Sequence, residues 1–327
     1  MSLLILNRQE VRELLPMRDC MDVLAAAFRA YSSGESVQPL RTMMKVPETD
    51  DILASMPGYD GASESMAVKL ITVFDDAAET VLDSHQGLVV LFSSDHGNPL
   101  AIMDAIEITA IRTAAASGVA TEALAKEDAS ALAILGAGVQ ARSHFDAMTE
   151  ARDIKTVRIW NRSRNGAEAL AAELPPQGSV DVTVANTVQS AVSGADLICT
   201  VTAAAEPVLK GEWIQPSVHV NAVGSSTPSK RELDTDAIVR SRLFVDSRES
   251  AVNEAGDFLI PKSEGAVGDD HIVGEIGEVL SGKAPGRQSR DEITLFKSLG
   301  MAVEDVAAAH LIYERAKAED RGVWIEM

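Results

Sequence analysis

The segment Leu132-Ala133-Ile134-Leu135 passes without a spacer into Gly136-Ala137-Gly138-Val139-Gln140-Ala141. An apolar run of strand length, ending in glycines and opening into a helix-compatible stretch, confines the chain here to a strand-turn-helix unit. Gly136 permits a tight turn, Gly138 lets the backbone approach a ligand, and Ala141 lets the following helix pack closely on a sheet. The first turn of that helix, at Val139 and Gln140, would present its backbone N–H groups to an anion. This is the pyrophosphate arrangement of a dinucleotide-binding fold. Six residues alone leave a second reading open, that of a tight structural turn without a ligand.

The surroundings favour the first reading. Strand-like runs at Ala131–Leu135, Thr156–Asn161, Asp181–Val184, Leu197–Val201, Val218–Val223 and Leu243–Asp246 alternate with helix-like stretches at Gln140–Ala151, Asn165–Glu173 and Val188–Ser193. Such alternation predicts a parallel sheet covered on both faces. The first third is of a different kind: Arg18–Tyr31 has apolar residues at helical spacing, Ala67–Phe74 and Gly87–Ser93 read as strands, and Ala101–Ala120 reads as one long helix. Ile293–Leu299 and a helical stretch at Val303–Lys317 follow near the end.

The second strand of the alternating region ends at Asn161-Arg162-Ser163-Arg164, about where an NAD-binding chain carries an acid for the adenosine ribose. A neutral Asn161 followed by arginines suits a 2′-phosphate instead, because guanidinium groups bind phosphate oxygens through charge-assisted hydrogen bonds. NADP(H) is therefore preferred, with NAD(H) as the alternative. A solvated basic loop is the competing reading.

Composition narrows the partners. A formal charge of −20 disfavours nucleic acid and anionic membrane surfaces, so an anionic ligand must be captured by a local basic site. Apolar runs are far shorter than the roughly 20 residues of a membrane helix. The opening Met1-Ser2-Leu3-Leu4-Ile5-Leu6-Asn7 does not read as a signal peptide, and a cytoplasmic location is expected. Cys20 and Cys199 stand far apart and outside any metal-ligand spacing, which predicts two ordinary buried thiols and no metal site.

Beyond the glycine loop, further stretches carry a resemblance over nearly the whole chain. They are Gln38-Pro39-Leu40-Arg41-Thr42, Ala67-Val68-Lys69-Leu70, Ser84-His85-Gln86, Arg112-Thr113-Ala114-Ala115, Trp160-Asn161-Arg162, Asn221-Ala222-Val223-Gly224, Arg231-Glu232-Leu233-Asp234 and Phe296-Lys297-Ser298-Leu299-Gly300-Met301. In these the sequence resembles the ornithine cyclodeaminase and mu-crystallin family, nearest to its mu-crystallin-like ketimine reductases. The resemblance implies an α/β chain in which a Rossmann dinucleotide-binding domain (119–303) joins an α+β substrate-binding and dimerisation domain (1–118 with 304–327), and a homodimer.

It also implies roles. Arg41 and Arg112 would hold a substrate carboxylate, Lys69 would also bind substrate and act at its nitrogen, and His85 and Ser226 would stand at the reacting end. Ser84, Thr113, Thr202, Val223 and Ser298 would join Gly136, Gly138, Val139, Gln140, Asn161, Arg162 and Ser163 around the cofactor. A guanidinium fork suits a carboxylate, and a desolvated lysine beside other cations can titrate near pH 7 to 8, roughly where general acids work best. Taken singly, Arg41 and Lys69 read equally as surface residues with buried stems, and His85 as a loop or core histidine. Arg112 stands in the small, apolar run Ile111-Arg112-Thr113-Ala114-Ala115 and needs a partner if that face is buried.

One departure separates branches of the family. Ornithine cyclodeaminase has an aspartate just after the Asn-Ala-Val-Gly strand, whereas Ser226 stands at that position here. A hydroxyl cannot serve as a carboxylate base, so the resemblance points to NAD(P)H-dependent reduction of a cyclic ketimine carboxylate, with Δ1-pyrroline-2-carboxylate to L-proline as the leading example. Ornithine cyclodeamination, an alanine dehydrogenase-like activity and a non-catalytic NADP-dependent binding protein are the alternatives.

Overall fold

The computed structural model describes residues 2–49, 51–74, 85–174 and 180–326, with His85 described in its backbone only. The chain divides into two compact units, Met1–Arg112 with Gly300–Met327 (unit 1) and Thr113–Leu299 (unit 2).

Among the described residues, unit 1 holds a seven-stranded sheet. Its strands are β1 (Ser2–Leu6), β2 (Thr42–Lys45), β3 (Ile52–Asp60), β4 (Ser65–Val73), β5 (His85–Ser93), β6 (Pro99–Asp104) and β15 (Val323–Glu326), in the order β15-β1-β6-β5-β4-β3-β2. The β1–β6 pair is parallel and the remaining pairs are antiparallel. Side chains alternate across a strand, so the row Met56–Lys69–Val89–Met103 points to one face. All four of these residues are buried, which seats a lysine among apolar neighbours. The adjoining row runs through Leu70 and Leu88 on the opposite face, where Leu53, Leu70 and Leu88 are exposed.

Among the described residues, three helices pack against this sheet or flank it. In α2 (Met17–Ser33), Cys20, Met21, Leu24, Ala27 and Phe28 form one buried stripe at helical spacing, and Gly34 ends the helix at φ +85°. The alanine-rich α11 (Ala302–Ala318) lies so close to β3 that a Cβ on Gly58 would come within 3.0 Å of Ala302 Cβ. A shorter α1 (Arg8–Leu14) begins with an Asn7/Glu10 capping box.

The expected single helix over Ala101–Ala120 is wrong in its first turn. Ala101–Asp104 belongs to β6, where Ala101 and Met103 are buried in alternation, and the helix α3 (Ala105–Leu124) starts only after Asp104. The Asp104 carboxylate accepts the Glu107 backbone N–H at 2.8 Å, capping α3 at that point. The boundary between the two units falls inside α3, after Arg112.

Unit 2 carries an eight-stranded sheet among the described residues, all of it parallel. Its strands are β7 (Ala131–Leu135), β8 (Thr156–Trp160), β9 (Asp181–Val184), β10 (Leu197–Thr200), β11 (His219–Ala222), β12 (Ser241–Val245), β13 (Ile272–Glu275) and β14 (Ile293–Lys297), ordered β13-β12-β14-β11-β10-β7-β8-β9. The helices are α4 (Val139–Ala151), α5 (Arg164–Glu173), α6 (Val188–Val192), α7 (Thr235–Val239), α8 (Arg248–Glu254), α9 (Gly256–Ser263) and α10 (Ile276–Leu280). Strands β10, β11 and β14 are buried along their whole length, as the central strands of a two-face-covered parallel sheet must be. Strand order reverses between β7 and β10, and ligands of such sheets bind outside the carboxyl ends of the strands at that switch point. The last strand, β14, is inserted between β11 and β12, so its C-terminal residues join the same edge.

Candidate functional site

At the end of β7 the glycines have the geometry that a dinucleotide needs. Gly136 has φ +125°, and a Cβ there would meet the Val201 carbonyl oxygen at 2.6 Å, so the turn excludes any larger residue. Gly138 has only open space where its Cβ would be. It is also the N-cap of α4 and supplies no side-chain cap, which leaves the first turn of that helix to a ligand, while Ala141 is fully buried against the sheet.

At the end of β8, Asn161 Nδ2 donates to the Ser163 carbonyl oxygen at 3.1 Å, and a Cβ on Gly166 would press on that same Nδ2 at 2.8 Å. The Ser163 hydroxyl caps α5. The two arginines differ. Arg164 is committed to Glu168 at 2.8 Å and to the Asn186 side chain, whereas Arg162 is exposed and has no hydrogen bond or ion pair among the described residues.

Thr202, Val223, Ser226 and Ser298 follow the ends of β10, β11 and β14. Val223 N donates to the Thr200 carbonyl oxygen at 3.0 Å and Ser298 N to that of Ala222 at 3.0 Å, so these residues prolong the strand pairings. Ser298 is 1% exposed, and its hydroxyl has no hydrogen-bond partner among the described residues. Burying an unpaired hydroxyl costs on the order of 1–3 kcal/mol, a cost that a bound polar group removes. The open cradle at Gly138, the uncapped α4 and this hydroxyl together fit a nicotinamide dinucleotide lying along the strand ends. Thr113 is buried on α3, Ser84 lies outside the described residues, and His85 pairs with Val73 at the start of β5.

Unit 1 brings together three of the expected substrate residues. Lys69 is 2% exposed, and its Nζ pairs with Asp305 Oδ2 at 2.8 Å. Arg112 is 4% exposed, donating from Nε to Asp305 Oδ1 at 3.0 Å and from Nη1 to Glu304 Oε2 at 2.7 Å. Its remaining terminal nitrogen, Nη2, has no protein acceptor among the described residues, so the fork can still offer a donor. Arg41 Nη2 donates to the Gly300 carbonyl oxygen at 3.1 Å. Gly300 in turn has φ +79°, and a Cβ on it would strike Arg112 Nη1 at 2.5 Å.

Burial lowers the Lys69 pKa to about 8, helped by the positive charges of Arg112 and Arg41 and opposed by Asp305. For Arg112, burial works against the charged form but is outweighed by Asp305 and Glu304, which hold it well above the ordinary arginine value. The cluster can thus hold or release one proton at Lys69 near neutrality beside two permanent cations.

Sequence reasoning missed Glu304 and Asp305. The signal was present: two acids in the run Ala302-Val303-Glu304-Asp305-Val306-Ala307 need partners if the helix is buried, as argued for Arg112. It also missed the buried acids Glu232 and Asp257 and the buried Lys297 of unit 2. Cys20 and Cys199 are buried, and desolvation pushes the Cys199 thiol up to about 12, so neither is primed as a nucleophile. No helix among the described residues is long and apolar enough to cross a membrane.

Comparison with known proteins agrees with this geometry. The mouse (Mus musculus) ketimine reductase mu-crystallin is 44% identical over 313 residues, covering 94% of this chain and 96% of the relative. The solved structure of Thermococcus litoralis Δ1-pyrroline-2-carboxylate reductase in complex with NADH and L-proline superposes with a TM-score of 0.95 at 36% identity, covering 98% of this chain and 99% of that one. An archaeal alanine dehydrogenase, solved as a dimer with bound NAD, gives a TM-score of 0.94 at 30% identity with full coverage of both chains (100% and 100%). Residues 1–320 match the family model of the ornithine cyclodeaminase/mu-crystallin family, and this chain belongs to that family.

Proposed function

We propose that this protein is a nicotinamide-dependent reductase of cyclic ketimine carboxylates, with Δ1-pyrroline-2-carboxylate, yielding L-proline, as its first candidate substrate. The observation that carries the reading is the buried Lys69 beside Arg112 and Arg41: one titratable cation next to two fixed ones. Reducing a C=N bond takes a hydride at carbon and a proton at nitrogen. A bound nicotinamide dinucleotide supplies the hydride. Lys69, largely protonated at neutrality, would give the imine nitrogen its proton, and Asp305 would hold the ammonium in place. The Arg41 and Arg112 guanidiniums would take the substrate carboxylate, which fixes the ring and its C=N bond in one orientation. In the domain assignment that goes with this reading, unit 1 is the substrate-binding and dimerising part and unit 2 the cofactor-binding part.

Ser226 stands where the lyases of the family have an aspartate, and a hydroxyl at that position favours reduction over deaminating cyclisation. The exposed, unpartnered Arg162 favours NADP(H) over NAD(H). The exposed Leu53, Leu70 and Leu88 on the outer face of the unit 1 sheet, with the dimeric alanine dehydrogenase relative, support a homodimer formed through that face. The cytoplasm is its proposed location.

The test is NADPH oxidation followed by near-ultraviolet absorbance with Δ1-pyrroline-2-carboxylate and its six-membered homologue, repeated with NADH and paired with an ammonia assay on ornithine. Oxidation with the ketimines and no ammonia from ornithine is the expected result. Ammonia release without net cofactor oxidation would replace the reading with a cyclodeaminase, and silence in both assays would leave a binding protein.

A further inference from the structure

The buried carboxylate of Glu232 is placed to act on the cofactor without touching it. Glu232 is 0% exposed, yet its two oxygens face only donors. Oε1 accepts from Thr202 N at 2.6 Å and Thr202 Oγ1 at 2.7 Å, and Oε2 accepts from Thr200 Oγ1 at 2.8 Å and Gly224 N at 2.7 Å. One carboxylate therefore ties the backbone leaving β10 to the backbone leaving β11. Gly224 is required for the approach, because a Cβ there would lie 2.1 Å from the Thr202 carbonyl oxygen and 2.6 Å from Glu232 Oε1.

The carboxylate is itself held from behind. The N–H groups of Glu232 and Leu233 donate to Asp257 Oδ1 at 2.8 and 3.0 Å, and Asp257 Oδ2 pairs with Lys297 Nζ at 2.9 Å. Lys297 Nζ donates onward to the Ser225 carbonyl oxygen at 2.6 Å. Lys297 is the last residue of β14, so the ends of three adjacent strands, β10, β11 and β14, are joined through one charge network. The residues that continue from those ends are Thr202, Val223, Ser226 and Ser298. The Gly136–Ala141 loop leaves β7 and packs against Val201, but makes no hydrogen bond to Glu232, Asp257 or Lys297 among the described residues.

We propose that Glu232 is a positioning residue for the nicotinamide end of the cofactor: it fixes the spacing of the β10 and β11 ends on which that half of the dinucleotide lies, and has no part in holding the adenine half. This rests on the dinucleotide reading above. The Glu232 carboxyl oxygens accept from all four donors, whereas an amide in its place would turn N–H hydrogens toward the backbone N–H of Thr202 or of Gly224, two groups that can only donate, leaving the two loops mismatched.

The experiment is ligand titration of the full chain with NADH and, separately, with ADP-ribose, which lacks the nicotinamide, in wild type, Glu232→Gln and the milder Thr200→Val. Melting temperature is measured alongside. The expected result is a dissociation constant for NADH raised about tenfold or more in Glu232→Gln and several-fold in Thr200→Val, with ADP-ribose affinity changed less than about twofold in both. Should Glu232→Gln not fold, the split in Thr200→Val carries the test alone. Equal weakening of both ligands, or an unchanged NADH affinity with a lowered melting temperature, would make Glu232 purely structural and overturn the proposal. A wild type that binds neither ligand is titrated in the same way with NADPH and 2′-phospho-ADP-ribose, and failure to bind these as well would overturn the dinucleotide reading and this inference with it. A wild type that binds both, with no split in the variants, would overturn only the role of Glu232.

Discussion

Asp305 Oδ2 lies 2.8 Å from Lys69 Nζ while the other oxygen of the same carboxylate accepts the Arg112 Nε hydrogen bond at 3.0 Å. One acid on the first turn of α11 thus favours the charged form of a lysine on β4 and orients an arginine on α3. The Lys69 pKa near 8 is the balance of burial, Arg112 and Arg41 against Asp305.

That balance gives the reaction a pH signature. If protonated Lys69 supplies the proton, kcat/KM for ketimine reduction is flat below about pH 8 and falls above it, because the lysine is then neutral. Asp305→Asn removes the group that raises this pKa, so the falling limb moves to lower pH by about one unit or more. An alkaline shift of the limb, or no shift, would take Lys69 out of the proton step.

Gly300 tests how tightly the arginines are seated. Gly300→Ala places a Cβ at φ +79° and 2.5 Å from Arg112 Nη1. The backbone strain costs roughly 1–3 kcal/mol of stability, and the displaced guanidinium raises KM for the imino acid. A variant with wild-type melting temperature and KM would show that the guanidinium is not confined there.

Gly138 separates ligand binding from folding. Its φ of −92° is open to any residue, and no atom lies within 4 Å of the Cβ site, so Gly138→Ala should fold with a stability loss of no more than about 1 kcal/mol, the cost of alanine at a helix N-cap. NADH affinity should nevertheless fall about tenfold or more, since the methyl group occupies the approach to the pyrophosphate. Retained affinity in calorimetric titration would remove the glycine loop from the binding site.

Arg162→Ala tests the choice of cofactor. Loss of a charge-assisted contact to a 2′-phosphate should weaken NADPH about tenfold to a hundredfold and change NADH less than about twofold. An equal effect on both would make Arg162 a solvated loop residue.

Two buried histidines govern acid stability. Burial lowers the pKa of His144 to about 4 and that of His219 to about 3, so both are neutral in the folded chain. Above pH 6.5 neither the folded nor the unfolded state binds these protons, and the pair has no effect. As pH falls below 6.5 only the unfolded state takes them up, so stability is lost progressively toward pH 4, by about 1.4 kcal/mol per unit for each histidine. A melting temperature unchanged between pH 7 and 5 would contradict this.

Local pattern carried much of unit 2. The strand Ala131–Leu135 and the segment Asp181–Val184 have in the structure the limits read from the sequence, because short apolar or β-branched runs closed by glycines and polar turns leave few alternatives. The glycine loop was legible for the same reason, since its chemistry is confined to six consecutive residues. Local pattern failed at Ala101–Ala120, where β6 and α3 are equally apolar and only the pairing of β6 with β5 and β1 divides them.

The residues of the family motifs could thus be named from the sequence alone: Lys69, Arg112, Gly136, Gly138, Arg162 and Ser298 each stand within a short recognisable stretch. Their charge state could not. Whether Lys69 is a solvated surface amine or a buried ammonium titrating near 8 depends on the β3–β4–β5 register and on Asp305, which is 236 positions away by residue number (305 minus 69). The same holds for Glu232, whose four donors come from two strand ends. Desolvation and ion pairing are properties of what surrounds a group in space, so only the tertiary structure could decide them.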